Sequence, residues 1–449
     1  MKRRAEEKND RVWRRLAMIW GLYYFVAFTW GQIPQYVQKT IWFGAALVGI
    51  ATVPVFWRHI RRRDLPPEST RLLFFVAWAM LGVVFVQDVA MFRLFLKLIL
   101  ELTLVVTAFS VIIGRSGGMH WLYLALVGVA VFRVLYNEGP INFDRIADTR
   151  VVARIAGANA VGFYCVLGII GMLALLKEVK SLWLRGALVA SGLIALYGVI
   201  LSASRGALVA LMATAVLWPA LCMVSIAKYK TRAIAGAVVV LLLFYWVFQF
   251  IIQDTYMGVR FTRATQLEDS STLMRLELVI TGLQSFIKHP IFGVGLGQFG
   301  TISRYGHYAH NEFAEISATT GLPGLVIYFS IYWLVWQRLV WSLRYVQDPL
   351  TRYRINMGRL SLLIIFISGC LSRPNFISQD TMFLLGLVVG ISHWAERMIR
   401  LQAGSRALAA GPVPPGSAWG RPAPPWGLGT PGTAVNSVMS VPAGRSGGG

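Results

Sequence analysis

Two histidines, His307 and His310, stand three apart in GHYAHNEFAEISATTGLPG, just ahead of a segment that reads as a helix. An imidazole titrates near neutrality and can act as a general base, and a pair of them can ligate a metal. No third ligand accompanies this pair, so no metal and no other cofactor is expected. A histidine in such a context is more often structural than catalytic, and the surrounding cations decide between the two. Arg150 and Arg154 are four apart in DRIADTRVVARIAGANAVGFY, on one face if the segment is helical, with Arg145 one or two turns earlier. Arg205 follows Ser202 and Ser204 in LSASRGALVAL, where a helix N-terminus offers free N–H donors and a positive dipole end, a setting suited to an anion. Arg275 lies on an amphipathic stretch, and Lys97 sits inside an apolar run with Glu101 one turn on. A cation at that depth marks either a cavity or an ion pair.

Each of these cations has a bland alternative, pairing with a carboxylate. Residues 253–320 hold five basic and six acidic residues, so no general basic patch exists there. What fits is a discrete anion gripped by a few guanidinium forks, which bind phosphate bidentately and keep their proton. Other phosphate and metal motifs are missing: there is no GxxxxGK[ST], no HExxH and no carboxylate pair spaced for a divalent ion. Gly293, Gly295 and Gly297 in FGVGLGQFG follow no strand and read as a tight turn where chains pack closely rather than as a phosphate loop.

The elements that must position these residues are membrane spans. The chain has 449 residues, 56% hydrophobic and only 14% charged, against about 25% charged in soluble domains. Runs of apolar residues long enough to cross a bilayer begin at 15–33 and end at 379–396, giving an all-α integral membrane protein of about twelve transmembrane helices. The first run follows a basic stretch but is too long for a cleaved signal peptide and reads as an uncleaved helix. About two-thirds of the 43 Lys and Arg fall on one side of the membrane if both termini are cytoplasmic, so the net charge of +23 records topology and implies no nucleic acid. Cys165, Cys222 and Cys370 lie in separate apolar runs without metal-ligand spacing.

This topology places two segments long enough to hold structure on the outer face, near 138–155 and 253–320, the larger lying between spans nine and ten. Within the latter, Ser271 to Lys288 is an amphipathic helix with Asp269, Ser270 or Ser271 as N-cap and Leu273, Leu276, Val279, Ile280, Leu283 and Ile287 on one face, suited to the outer membrane surface. Residues 1–402 form the membrane domain, and 403–449, rich in Pro, Gly, Ser and Ala, a disordered cytoplasmic tail. An anion held at the outer surface of such a protein points to a lipid-linked phosphate or pyrophosphate.

In HNEFAEISATTGLPG, His310 and Asn311 are followed by nine residues and then Gly321-x-x-Gly324, which resembles the H-[NSQ]-x9-G-x-x-G signature of the O-antigen ligases. RIAGANAVGFY at Arg154, SASRGALVAL at Arg205 and SSTLMRLELVITGLQSFIKHPIFGVGLGQF at Arg275 are similar to the wider ligase and polymerase superfamily. The resemblance implies a GT-C-like glycosyltransferase of the bacterial inner membrane. It would transfer a polysaccharide from undecaprenyl pyrophosphate to a sugar hydroxyl of lipid A-core on the periplasmic side. In that reading His310 is the base, Arg154, Arg205 and Arg275 bind the pyrophosphate, and Arg150, Arg145 and Lys97 stand behind them. Asn311 orients His310 or contacts sugar. O-antigen polymerase, which shares the donor, and a transporter of lipid-linked solutes are the alternatives. A transporter should show repeated halves and polar residues at the midplane, and neither is seen.

Overall fold

The computed structural model describes residues 2–29, 48–50, 52–55, 66–138, 158–224, 230–266, 270–371 and 374–409. All regular structure among them is helical. Ten helices are long and apolar enough to cross a membrane among the described residues, and the protein is a multi-pass membrane protein. The expected second span near 38–57 falls largely outside the described residues. Met1–Leu401 is one compact unit.

The chain opens with α1 (Lys2–Thr29), followed by α2 (Pro67–Leu81), α3 (Val89–Ser116), α4 (Met119–Glu138), α5 (Ala158–Leu176), α6 (Leu182–Ser202) and α7 (Arg205–Trp218). Then come α8 (Lys230–Asp254), α9 (Tyr256–Thr265), α10 (Ser270–Lys288), α11 (Glu312–Tyr345), α12 (Pro349–Leu371) and α13 (Gln379–Ala409). One apolar core runs through α1 to α7 and α11 to α13, and a second small cluster of Leu278, Phe299, Ala309, Ala314 and Ala318 ties α10 to the start of α11.

Polar contacts gather at the two ends of the bundle, as expected where apolar spans leave backbone and charged groups to pair at their termini. At one end, Gln298 accepts from the amides of Gln87 (2.9 Å) and Asp88 (2.7 Å) and donates to the Asp88 carbonyl (2.8 Å). There too the Trp78 indole donates to the Thr320 carbonyl at 2.8 Å. At the opposite end, Arg338 is buried between Glu68 and Glu396, and Arg354 binds Glu178 at 2.7 Å. His310, Arg205 and Arg275 all belong to the first end.

α11 is broken where it meets the preceding loop. Gly321 has φ 68 and ψ −169, and Pro323 follows. A Cβ at Gly321 would lie 2.1 Å from the Ile291 carbonyl oxygen, so only glycine admits this approach. The neighbouring amide of Leu322 donates to the Pro290 carbonyl (2.8 Å), and Val294 N donates to the Ala318 carbonyl (2.8 Å). Glu312–Thr320 is thereby a separate segment with the 290–297 turn docked against it. Gly293, Gly295 and Gly297 have φ of 67, 98 and 75, the tight turn expected from the sequence.

Candidate functional site at the N-terminus of α11

Asn311 caps α11: its side chain accepts from Ala314 N at 2.9 Å and its Nδ2 donates to the Cys370 carbonyl at 2.5 Å. Both ends of the amide are thus engaged by backbone, one bond capping the helix and the other tying it to α12. His310 immediately precedes the cap with φ 55, a left-handed backbone that a non-glycine residue holds only when its surroundings enforce it. Its ring lies against Tyr308 with centroids 4.3 Å apart. Beneath it, Ala309 N donates to Glu315 Oε2 at 2.6 Å, and Glu315 is fully buried one turn into α11.

Glu312 fastens the same helix start to the turn between α12 and α13. Its carboxylate accepts from the Tyr328 hydroxyl (2.6 Å), Asn375 N (2.9 Å), Asn375 Nδ2 (2.8 Å) and Phe376 N (3.2 Å). Four donors on one buried carboxylate are the satisfied arrangement that burial of such a group demands.

The arginines approach through α10. Ser204 caps α7, accepting from Ala207 N, and Arg205 is the first residue of that helix. Its guanidinium donates to Thr272 Oγ1 (2.5 Å) and Ser271 Oγ (3.5 Å) in the first turn of α10. Arg275 is one turn further along α10, and Leu278, one turn beyond it, packs with Ala309, the neighbour of His310. One helix therefore links Arg205, Arg275 and the His310 turn. α10 buries only Leu278, Gly282 and Ser285, while Leu273, Leu276, Ile280, Leu283 and Ile287 remain exposed on the protein's surface. Tyr305 donates to Glu277 Oε2 at 2.6 Å, and that carboxylate raises the pKa of the phenol.

Lys97 lies on α3 as an exposed i,i+4 ion pair with Glu101, 3.7 Å apart, the bland partner available in the sequence. Arg145, Arg150 and Arg154 lie outside the described residues. Two groups passed unnoticed in the sequence. Arg260 on α9 donates to the carbonyl of Ala203 (2.9 Å), itself a left-handed residue (φ 46), and so holds the turn that presents Ser204 and Arg205. Glu315 is the other; its place five residues after His310, on the inward face of the capped helix, was the available signal.

Residues 190–329 match the family model described as O-Antigen ligase. This segment is similar to the O-antigen ligase family. It holds Arg205, α10, His310 and both glycines of the G-x-x-G motif, but not Cys370, Asn375 or Phe376, which brace the start of α11. No curated protein matches the chain. Among solved structures, the chain is similar to one from "Structural coordination of polymerization and crosslinking by a peptidoglycan synthase complex", at 15% identity and TM-score 0.42, covering 73% of this chain and 97% of that one. A likeness that distant bears on neither mechanism nor substrate.

Proposed function

We propose that the protein is an O-antigen ligase, a metal-independent inverting glycosyltransferase. It moves a polysaccharide from undecaprenyl pyrophosphate to a sugar hydroxyl of lipid A-core, on the periplasmic side of the bacterial inner membrane. The observation that carries this reading is the linkage of Arg205, Arg275 and His310 through α10 at one end of the bundle, within the segment matched to the ligase family.

The chemistry follows from those groups. A diphosphate is a good leaving group, so the barrier lies in activating a neutral hydroxyl and stabilising charge on the departing oxygens. The His310 imidazole takes the proton from the acceptor hydroxyl as its oxygen bonds to the anomeric carbon, a contribution of about 10²- to 10⁴-fold. The bond from that carbon to the diphosphate oxygen breaks, and the electron pair leaves with the diphosphate. Arg205 and Arg275, with Arg154 and behind them Arg150, Arg145 and Lys97, meet the developing charge. Asn311 sets where His310 stands by fixing the start of α11. Attack from the far side of the anomeric carbon inverts its configuration.

The test is purified full-length protein in detergent, given lipid-linked polysaccharide and either lipid A-core or a second lipid-linked chain, with EDTA and no nucleotide. Product on lipid A-core alone, with inverted linkage, is expected. Product only on the second lipid-linked chain would make the enzyme a polymerase. Retained configuration, or loss of activity with EDTA, would reject the mechanism.

A further inference from the structure

A second feature lies between α2 and α11, on the membrane-facing side of the bundle. α2 and α11 diverge to leave a groove of about 460 Å³, lined by Arg71, Phe74, Trp78, Leu81, Val326 and Ser330. It is apolar along its length except near Arg71 and Ser330. That arginine donates to the Ser330 carbonyl at 2.6 Å, a neutral acceptor.

Several other cations within the spans have a local answer to their charge. Arg338 is held by Glu68 and Glu396, and Arg354 by Glu178. Lys97 pairs with Glu101. Arg133 lies 3.9 Å over the Tyr164 ring, and Arg359 4.5 Å over the Trp336 ring. Among the described residues Arg71 has neither a carboxylate partner nor an aromatic face. Glu68, one turn away on α2, faces the core and is already engaged by Arg338 and His393. A guanidinium at membrane depth without counter-charge is costly, and its remaining donors suit a phosphate.

We infer that this groove is a binding site for one anionic phospholipid, its phosphate on Arg71 and an acyl chain laid along α2 toward Leu81. Ten residues of helix separate Arg71 from Leu81, about 15 Å along the groove. The occupant is a membrane phospholipid and not a diphosphate-bearing donor. Arg71 lies one turn from Glu68, at the end of the bundle opposite His310, so a lipid with its phosphate here belongs to the other leaflet.

Native mass spectrometry of the delipidated full-length protein in detergent reads this directly. With phosphatidylglycerol and phosphatidylcholine of matched acyl chains as probes, one phosphatidylglycerol should be retained in preference to phosphatidylcholine. Arg71→Gln, which removes the charge, and Val326→Trp, which fills the groove, should each weaken that retention about tenfold or more. Arg344→Gln, an exposed cation near the same end but outside the groove, should leave it unchanged. Equal retention of the two lipids, wild-type retention in both groove variants, or displacement of phosphatidylglycerol by undecaprenyl phosphate would each overturn the assignment. None of these readouts depends on enzymatic activity.

Discussion

His310 occupies a left-handed backbone conformation, and the residues around it supply the constraint. Glu315 is the most direct of these, because its carboxylate receives the Ala309 amide immediately before the strained residue. The two roles separate by substitution. His310→Ala should lower turnover by at least about 10²-fold with little change in melting temperature, since the ring is only half-buried. Glu315→Gln keeps an oxygen that can accept from Ala309 and should retain activity within a few-fold. Glu315→Leu leaves the buried Ala309 amide without its acceptor, so kcat should fall about 10²-fold while KM for the lipid-linked donor holds. Equal loss in the Gln and Leu variants would mean that the charge, and not the hydrogen bond, is what matters. Arg205→Lys keeps the charge but loses the planar fork that reaches Thr272 and Ser271 together. It should raise KM for the donor more than it lowers kcat.

At the scale of elements, the start of α11 and the 290–297 turn form one unit whose shape depends on Gly321. Gly321→Ala places a Cβ against the Ile291 carbonyl in a left-handed backbone, and should cost more than about 1 kcal/mol. Detergent-solubilised protein should melt lower and turn over more slowly, because the turn and the capped helix shift together. α12 offers a milder case outside the site. Asp348 caps it, accepting from Thr351 N (2.7 Å) and Thr351 Oγ1 (2.6 Å), with Pro349 at the first helical position. Those bonds hold the Asp348 carboxyl below its usual range. The stabilisation is therefore complete above the unfolded-state pKa and fades as pH falls through the lowered folded value. Asp348→Asn should flatten that acidic part of the melting curve, and an unchanged pH profile would assign the stability elsewhere. Much of this architecture was legible in the sequence: the amphipathic period placed α10, Ser204 before Arg205 marked a helix start, and three glycines without a strand indicated a tight turn. How α10 joins α11 was not, because that contact runs through Gly282 against Ala314 rather than through the apolar stripe of Leu273, Leu276 and Ile280. Hydropathy weighs side chains, whereas close helix packing selects small ones. Glu312 and Glu315 were similarly hidden, since partners as distant as Asn375 give a buried carboxylate no signature within its own segment.

Across the whole molecule, the end opposite His310 is closed by a buried ionic cluster that ties three helices together. Arg338 of α11 bonds Glu68 of α2 at 2.8 and 3.0 Å and Glu396 of α13 at 2.6 and 2.7 Å. His393 adds a contact to Glu68 at 3.2 Å. Arg397 extends the array to the Arg115 carbonyl and to Asp10. α11 thus runs from the His310 turn at one end to this cluster at the other, which fixes its position along the bundle. Such a cluster contributes through geometry more than through net free energy, because desolvating the charges offsets most of their attraction. Removing one partner is a different matter, since it strands a charge in the interior. Glu68→Ala should destabilise the protein by about 3–5 kcal/mol, read as a fall in melting temperature in detergent. Replacing Glu68, Arg338 and Glu396 together by Met should recover most of that loss. If the triple variant is stable yet turns over slowly, the cluster acts as a register lock for α11, holding its N-terminus where His310 meets the arginines. If Glu68→Ala melts as the wild type does, the cluster does not fasten α11 and the register must be set by apolar packing alone.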